Sequence, residues 1–287
     1  MSKFTKGILT FCGITLLLGG VLFGIGKHFG EQTEQNPWFG EDVLWGMDVT
    51  VDGAKIQMGE KVESIEKQES PLAFENIHME VECGNVQVVK GSEFQISCIY
   101  PEKEMPEFKV ENNTLEVTQK NCLNTGNATR SIIITVPEQA QLLDMTFENE
   151  VGDVTITGIT ADSYTTTLST GSVAIQSSDL ERCMLTVDTG SIDISDLSAD
   201  YCGVSTSTGE INIKDCDVKE YVLINDVGDT TLDLSSVSYD YAIKAKTDVG
   251  KVYMDGEKKS DDYEMDAVGD YRIEIRKDVG DINIRTK

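Results

Sequence analysis

The chain has 287 residues, 39% of them hydrophobic and 26% charged, so it can bury a sizeable core. Its formal net charge of -26 and pI near 4.3 make it repel nucleic-acid phosphates and anionic membranes, whose counterions it could not release, and so exclude nucleic-acid binding. The acids are spread along the chain, as expected of a solvated surface that keeps the molecule soluble.

The first element is apolar. Lys3 and Lys6 precede residues 7–26, which are 20 positions without a charge. As a helix this run would be about 30 Å long, enough to cross a bilayer. No alanine occurs before Ala54, so the small-residue cleavage signal of a secretory leader is absent. Cys12 lies at the start of the run, whereas a lipoprotein cysteine follows its end. The expectation is a retained single-pass transmembrane helix over 7–26. Its tail, 1–6, is cytoplasmic and everything after Lys27 lies outside, following the positive-inside rule. Gly20 and Gly24 form a GxxxG, a spacing that can let two such helices approach as a homo-oligomer, although glycine is common in membrane helices anyway.

Residues 27–72 are polar and acidic, with short apolar islands and no sustained period. They read as a stalk with some strand character. Trp38 and Trp45 fit best as plugs at the base of the folded domain, given the apolar area of tryptophan.

Residues 73–148 form a strand-rich opening section. "IHMEVE", "NVQVV", "FQISCIY", "FKVE", "TLEVTQ" and "SIIITVP" alternate or run apolar over strand lengths, and Gly91-Ser92 and Asn112-Asn113 supply turns.

Residues 149–287 are periodic. Gly152, Gly171, Gly190, Gly209 and Gly228 follow one another at 19-residue steps, each opening a phrase such as "TGSIDI" or "TGEINI". Gly250 follows after 22 residues, and "VGDYRIEI" at Gly269 and "VGDINI" at Gly280 read as degenerate closing copies. A fixed period near 20 marks a solenoid. Ile156, Ile175, Ile194, Ile213 and Leu232 stand four places past their glycines and alternate with polar residues, so they predict a core ladder. A second strand follows in each unit, with Tyr164, Cys183, Cys202 and Tyr221 at equivalent places. One unit cannot bury its own apolar face, whereas stacked units can. The turn glycines need a backbone without a Cβ, for positive φ or for close approach of the next coil. The fold class expected is all-β: a parallel β-solenoid (β-helix) of about 19 residues per coil.

The stretches "FENIHMEVECGNVQVVKGSEFQISCIY", "KVENNTLEV", "SIIITVPEQAQLLDMTFENEVGDVTI" and the serial Gly-x-Ile-x-Ile units resemble, in this order, a bacterial β-strand-repeat family of unknown function whose members are often described as candidate adhesins. The resemblance spans roughly residues 74–287. The form with an N-terminal membrane helix resembles accessory proteins of Gram-positive cell-envelope stress operons. The family has no established catalytic residues to carry over.

Chemistry-bearing residues are few. His28 and His78 are the only histidines, one beside the apolar run and one on the polar face of a strand. No nucleophile motif accompanies them, so no catalytic residue and no cofactor is assigned. Of seven cysteines none forms a CxxC, so zinc-ligand spacing is absent. Cys183 and Cys202 occupy equivalent places in adjacent coils, as either a disulfide or a buried thiol ladder. Asp226, Asp229, Asp248, Asp278 and Asp281 flank the glycine turns. Aspartate is an ordinary turn residue and the Gly-rich calcium repeat is not present, so no metal is assigned.

These readings converge on a non-enzymatic, membrane-anchored extracytoplasmic scaffold or sensor accessory protein of the bacterial cell envelope, with an envelope protein as partner. The stress-response setting comes from the resemblance alone. The alternatives are a surface adhesin and, third, an enzyme of cell-wall polysaccharide. Against the last stands the sparseness of lysine through the coils, where an acidic polymer would need basic residues.

Overall fold

The computed structural model describes residues 48–51, 54–57, 63–122, 128–234, 241–267 and 269–286. The apolar run 7–26, with Cys12, Gly20 and Gly24, lies outside the described residues, as do Trp38 and Trp45. Among the described residues no helix is long and apolar enough to cross a membrane.

The chain divides into two units, Met1–Lys61 and Val62–Lys287. In the first, Asp48–Val51 and Ala54–Gln57 form an antiparallel pair.

The second unit is all-β apart from one 3-10 turn at Glu102–Glu104 among the described residues. It consists of an eleven-stranded and a twelve-stranded sheet. Each repeat supplies a long strand to the first and a short strand to the second, with a glycine between them. Thus Asp179–Thr189, Gly190 and Ile192–Ser195 make one rung, and Ser198–Thr208, Gly209 and Ile211–Lys214 make the next. Neighbouring rungs pair in parallel, residue for residue. Ile192 partners Ile211, Ile194 partners Ile213, and Cys183 partners Cys202.

The core lies between the sheets and is built from these columns. Val154, Val173, Ile192 and Ile211 are buried along the short strands, as are Ile156, Ile175, Ile194, Ile213 and Leu232. Opposite them run Met145, Tyr164, Cys183, Cys202 and Tyr221, also buried. Alternation puts these side chains inward and their neighbours in solvent. Burying each aliphatic side chain contributes about 1.5 to 3 kcal/mol, and only stacking achieves it.

Gly190 shows why the turn must be glycine. Its φ is +146°, a region L-residues rarely enter, and a Cβ there would overlap the carbonyl oxygen of Gly171 one rung away. The same relation links Gly152, Gly171, Gly209, Gly228, Gly250 and Gly280 to a neighbouring glycine.

Three features depart from the order along the sequence. Gly84 opens the column: Asn76–Cys83 and Asn85–Gly91 form a full rung whose glycine carbonyl lies against Gly152. The opening section therefore already contains solenoid. At the other end the rung of Gly280, made of Arg272–Val279 and Ile282–Arg285, is inserted between the rungs of Gly228 and Gly250. Gly269 belongs to no rung and has nothing within 4 Å of where a Cβ would stand. Finally, Ser64–Glu69, within the segment read as stalk, pairs antiparallel with Gln95–Pro101 on the edge of the twelve-stranded sheet.

Antiparallel strands close both ends of the stack. Glu107–Glu111 covers Thr114–Gln119 at one end, and Asp262–Met265 covers Ala242–Val249 at the other. These strands shield the parallel ladder from edge-to-edge pairing with other chains.

Candidate functional site

Parallel pairing fixes what the outer face of the eleven-stranded sheet displays. Residues between the buried columns point outward, so Asn76–Cys83 shows Glu80 and Glu82, and Leu142–Val151 shows Glu148 and Glu150. Glu80 and Glu148 are register partners. The four carboxylates border a depression of about 300 Å³ that also reaches Lys120, Thr167 and Ser169. Toward the stack's centre the face turns neutral, with Thr165, Met184, Gly203 and Val222 in one row. There Tyr201 lies over Gly203, where a Cβ would stand 2.8 Å from the ring, and the Arg182 guanidinium sits 4.5 Å from the ring centroid. A second hollow, about 480 Å³, lies beside the acidic one and is lined by Lys103, Lys109 and Lys120 with Met105 and Phe108. Contacts made by the exposed charged groups of such a surface are each weak.

A buried polar cluster sits at the Gly84 corner. Cys83 and Cys122 form a disulfide across 39 residues of chain. Tyr100 donates its hydroxyl proton to the Cys83 carbonyl at 2.9 Å, and the Cys83 amide donates to Gln119 Oε1 at 3.0 Å. Burial pushes the Tyr100 hydroxyl up, out of reach of physiological titration. Arg130 meets the fully buried Glu104 carboxylate through Nε at 2.6 Å and Nη2 at 3.0 Å. Among the described residues, Cys83, Glu104 and Cys122 are the acid and thiol groups close enough to share an ion. The two sulfurs are bonded to each other and the carboxylate is held by Arg130, so the donor set does not suit a metal.

Cys183 and Cys202 are free thiols, fully buried and in register, with Cys216 buried nearby. The hydrogen bond from Cys183 together with burial pushes Cys202 up. Burial raises Cys216 and Cys98 to about 12. These thiols are core residues without nucleophilic character. Three turn acids, Asp153, Asp229 and Asp281, bond across neighbouring rungs. Asp153 Oδ1 accepts from the Ser172 amide at 2.9 Å, Asp229 Oδ1 from the Asp281 amide at 2.9 Å, and Asp281 Oδ1 from the Lys251 amide at 2.9 Å. His78 lies on the outer face with Nε2 3.5 Å from Glu80 Oε1.

The disulfide and the Arg130–Glu104 pair escape a reading of spacing, since each depends on where a loop or turn returns. Alternation does place Cys83, Tyr100 and Gln119 inward on their strands.

The family described as Toastrack DUF4097 matches residues 74–285. No curated protein matches the chain. Among solved structures, the chain is similar to a candidate cell adhesion protein from Clostridium sporogenes, at 17% identity and a TM-score of 0.40, over 78% of this chain and 100% of that one. It is also similar to a candidate adhesin from Bacteroides fragilis, at 16% identity and a TM-score of 0.44, over 77% and 97%. A third is a candidate lipid binding protein from Parabacteroides distasonis, at 12% identity and a TM-score of 0.36, over 78% and 97%.

Proposed function

The chain belongs to the Toastrack DUF4097 family through residues 74–285, and on that premise we propose that it is a non-enzymatic scaffold or sensor accessory protein of the bacterial cell envelope. The 7–26 segment anchors it as a single-pass helix, and the solenoid stands outside the membrane. It presents the outer face of the eleven-stranded sheet to an envelope protein partner within a stress response.

One observation carries this reading. The free cysteines Cys98, Cys183, Cys202 and Cys216 are buried, while the sheet displays Glu80, Glu82, Glu148 and Glu150 around a shallow depression. That is the anatomy of a docking face, and its charge suits a basic patch on the partner.

The test is crosslinking in the native cell, comparing the natural chain with one carrying Glu80→Gln, Glu82→Gln, Glu148→Gln and Glu150→Gln. A scaffold crosslinks to a membrane protein of its own cell, loses that product in the variant, and alters the response to envelope-active agents when deleted. Binding of the purified ectodomain to matrix or host material, with no partner in its own envelope, would instead make it an adhesin. Release of oligosaccharide from wall polymers would make it an enzyme.

A further inference from the structure

The rung of Gly280 is seated between two rungs that pair with it at matching positions. Across the slot, Tyr221 and Ile243 both partner Ile273, Leu223 and Ala245 both partner Ile275, and Asn225 and Thr247 both partner Lys277. Leu232 and Met254 both partner Ile284. All these residues are buried in the same columns. Each of the three turns reads Asp-Val-Gly, at Asp226, Asp248 and Asp278. Bringing the Gly228 and Gly250 rungs together would therefore keep every column in register and restore chain order.

We propose that the Gly280 rung is a removable insert, which leaves its slot so that the Gly228 and Gly250 rungs close directly on each other. This inference is independent of the scaffold reading.

The inserted rung carries the one feature its layer tolerates badly. Lys277 points inward and is 3% exposed. Its Nζ lies 3.4 Å from Thr230 Oγ1, and its rung neighbours there are Asn225 and Thr247. Asn225 Nδ2 donates to the Gly209 carbonyl at 3.0 Å, while its Oδ1 is without a protein partner. Among the described residues no carboxylate faces the amine from the interior columns around it; the acids near it are Asp229, Asp281 and Glu210, all in the turns. Burial lowers the Lys277 amine to about 8, although these three acids pull it back up. Once the rung has left, Asn225 meets Thr247, neither of them ionisable, and Lys277 is in water. Protonation of Lys277 therefore favours exit. Exit also exposes Ile273, Ile275, Ile282 and Ile284, so the closed-up form is the minor state until another sheet edge covers them.

Cysteine trapping tests this in the full chain held in detergent micelles, with Cys12→Ser to remove an unrelated thiol. One variant carries Ile224→Cys and Lys246→Cys, the other Ile224→Cys and Arg276→Cys. With the rung seated, 276 adjoins 224, whereas 246 lies a further strand away. Two strand spacings amount to about 10 Å, beyond the reach of a disulfide. The 224–276 link should form readily. The 224–246 link should also form, slowly and within one chain. Its rate relative to 224–276 should rise by roughly two orders of magnitude from pH 10 to pH 6, the linkage expected of an amine near 8 when seated and near its ordinary value when free. Lys277→Met should remove that pH dependence. No 224–246 link at any pH, or a relative rate that pH does not change, would overturn the proposal.

Discussion

The backbone N–H of Asp281 donates to Oδ1 of Asp229 at 2.9 Å across 52 residues of chain, whereas the equivalent bond from Ser172 to Asp153 spans 19. The two bonds are the same structural event at the same corner of the solenoid. What differs is that the last rung enters the stack out of turn, so stacking geometry outranks chain order in this fold.

The glycine column should be the least forgiving part of the molecule. Gly190→Ala combines backbone strain with overlap on the Gly171 carbonyl. It should cost more than about 3 kcal/mol. Gly269→Ala meets only strain, with φ +151° and open space around it, and should cost about 1 kcal/mol. Urea unfolding midpoints of the two variants against the natural chain decide this. Equal losses would show that close approach between rungs is not what selects glycine.

Burial of Glu104 against Arg130 makes that pair costly to break from one side. Arg130→Met removes both guanidinium bonds from a carboxylate with 0% side-chain exposure, and should destabilise by about 3 to 5 kcal/mol. Replacing both partners by apolar residues should recover much of that loss. The readout is again the urea midpoint, in a double-mutant cycle. A single-variant loss below about 1 kcal/mol would show that the pair is solvated.

The free cysteines should be silent in the folded protein. Burial holds Cys98 and Cys216 at about 12, and Cys183 and Cys202 are fully buried. Iodoacetamide at pH 8 should leave all four unmodified, and should modify all four after denaturation without reduction. Mass mapping distinguishes the cases. Rapid labelling of Cys183 in the native state, or a Cys183–Cys202 disulfide in the oxidised protein, would contradict the packing described.

Lys277 sets a pH dependence whose sign follows from its surroundings. Its amine lies near 8 when folded and near about 10.4 when unfolded. Below pH 8 both states are protonated, and the folded state carries the full cost of a buried charge. As pH rises through 8 the folded amine loses its proton first, and the cost disappears by the time pH passes the unfolded value. Stability should therefore rise by about 2 to 3 kcal/mol between pH 7 and 10 relative to Lys277→Met, which should itself be the more stable chain at pH 7. Comparing urea midpoints of the two proteins across that range isolates Lys277 from other titrating groups. A flat difference would place the amine in water.

Much of this architecture is legible in the chain. The 19-residue spacing from Gly152 to Gly228 and the alternation of Ile192, Ile194, Ile211 and Ile213 define the rung, because one-dimensional stacking turns a period into a ladder. Gly84 is harder to see. Its partner residues Asn85 and Asp153 are 68 positions apart, so the first repeat has no neighbour to be compared with. The seating of Gly280 is invisible for a different reason: a repeat states what fits beside it without stating which copy arrives there. The Cys83–Cys122 disulfide and the Arg130–Glu104 pair depend on where loops return, and spacing does not encode that. On the outer face, the meeting of Glu80 with Glu148 follows only once the Gly84 rung is recognised.

The fold rests on one shared interior behind one column of glycines. A crystal structure of the chain measures this directly. It should show the Cα atoms of Gly84, Gly152, Gly171, Gly190, Gly209 and Gly228 in a single line at intervals of about 4.8 Å, with Ile192 and Ile211 stacked inside. Glycines scattered over the surface, or either isoleucine turned toward solvent, would contradict it.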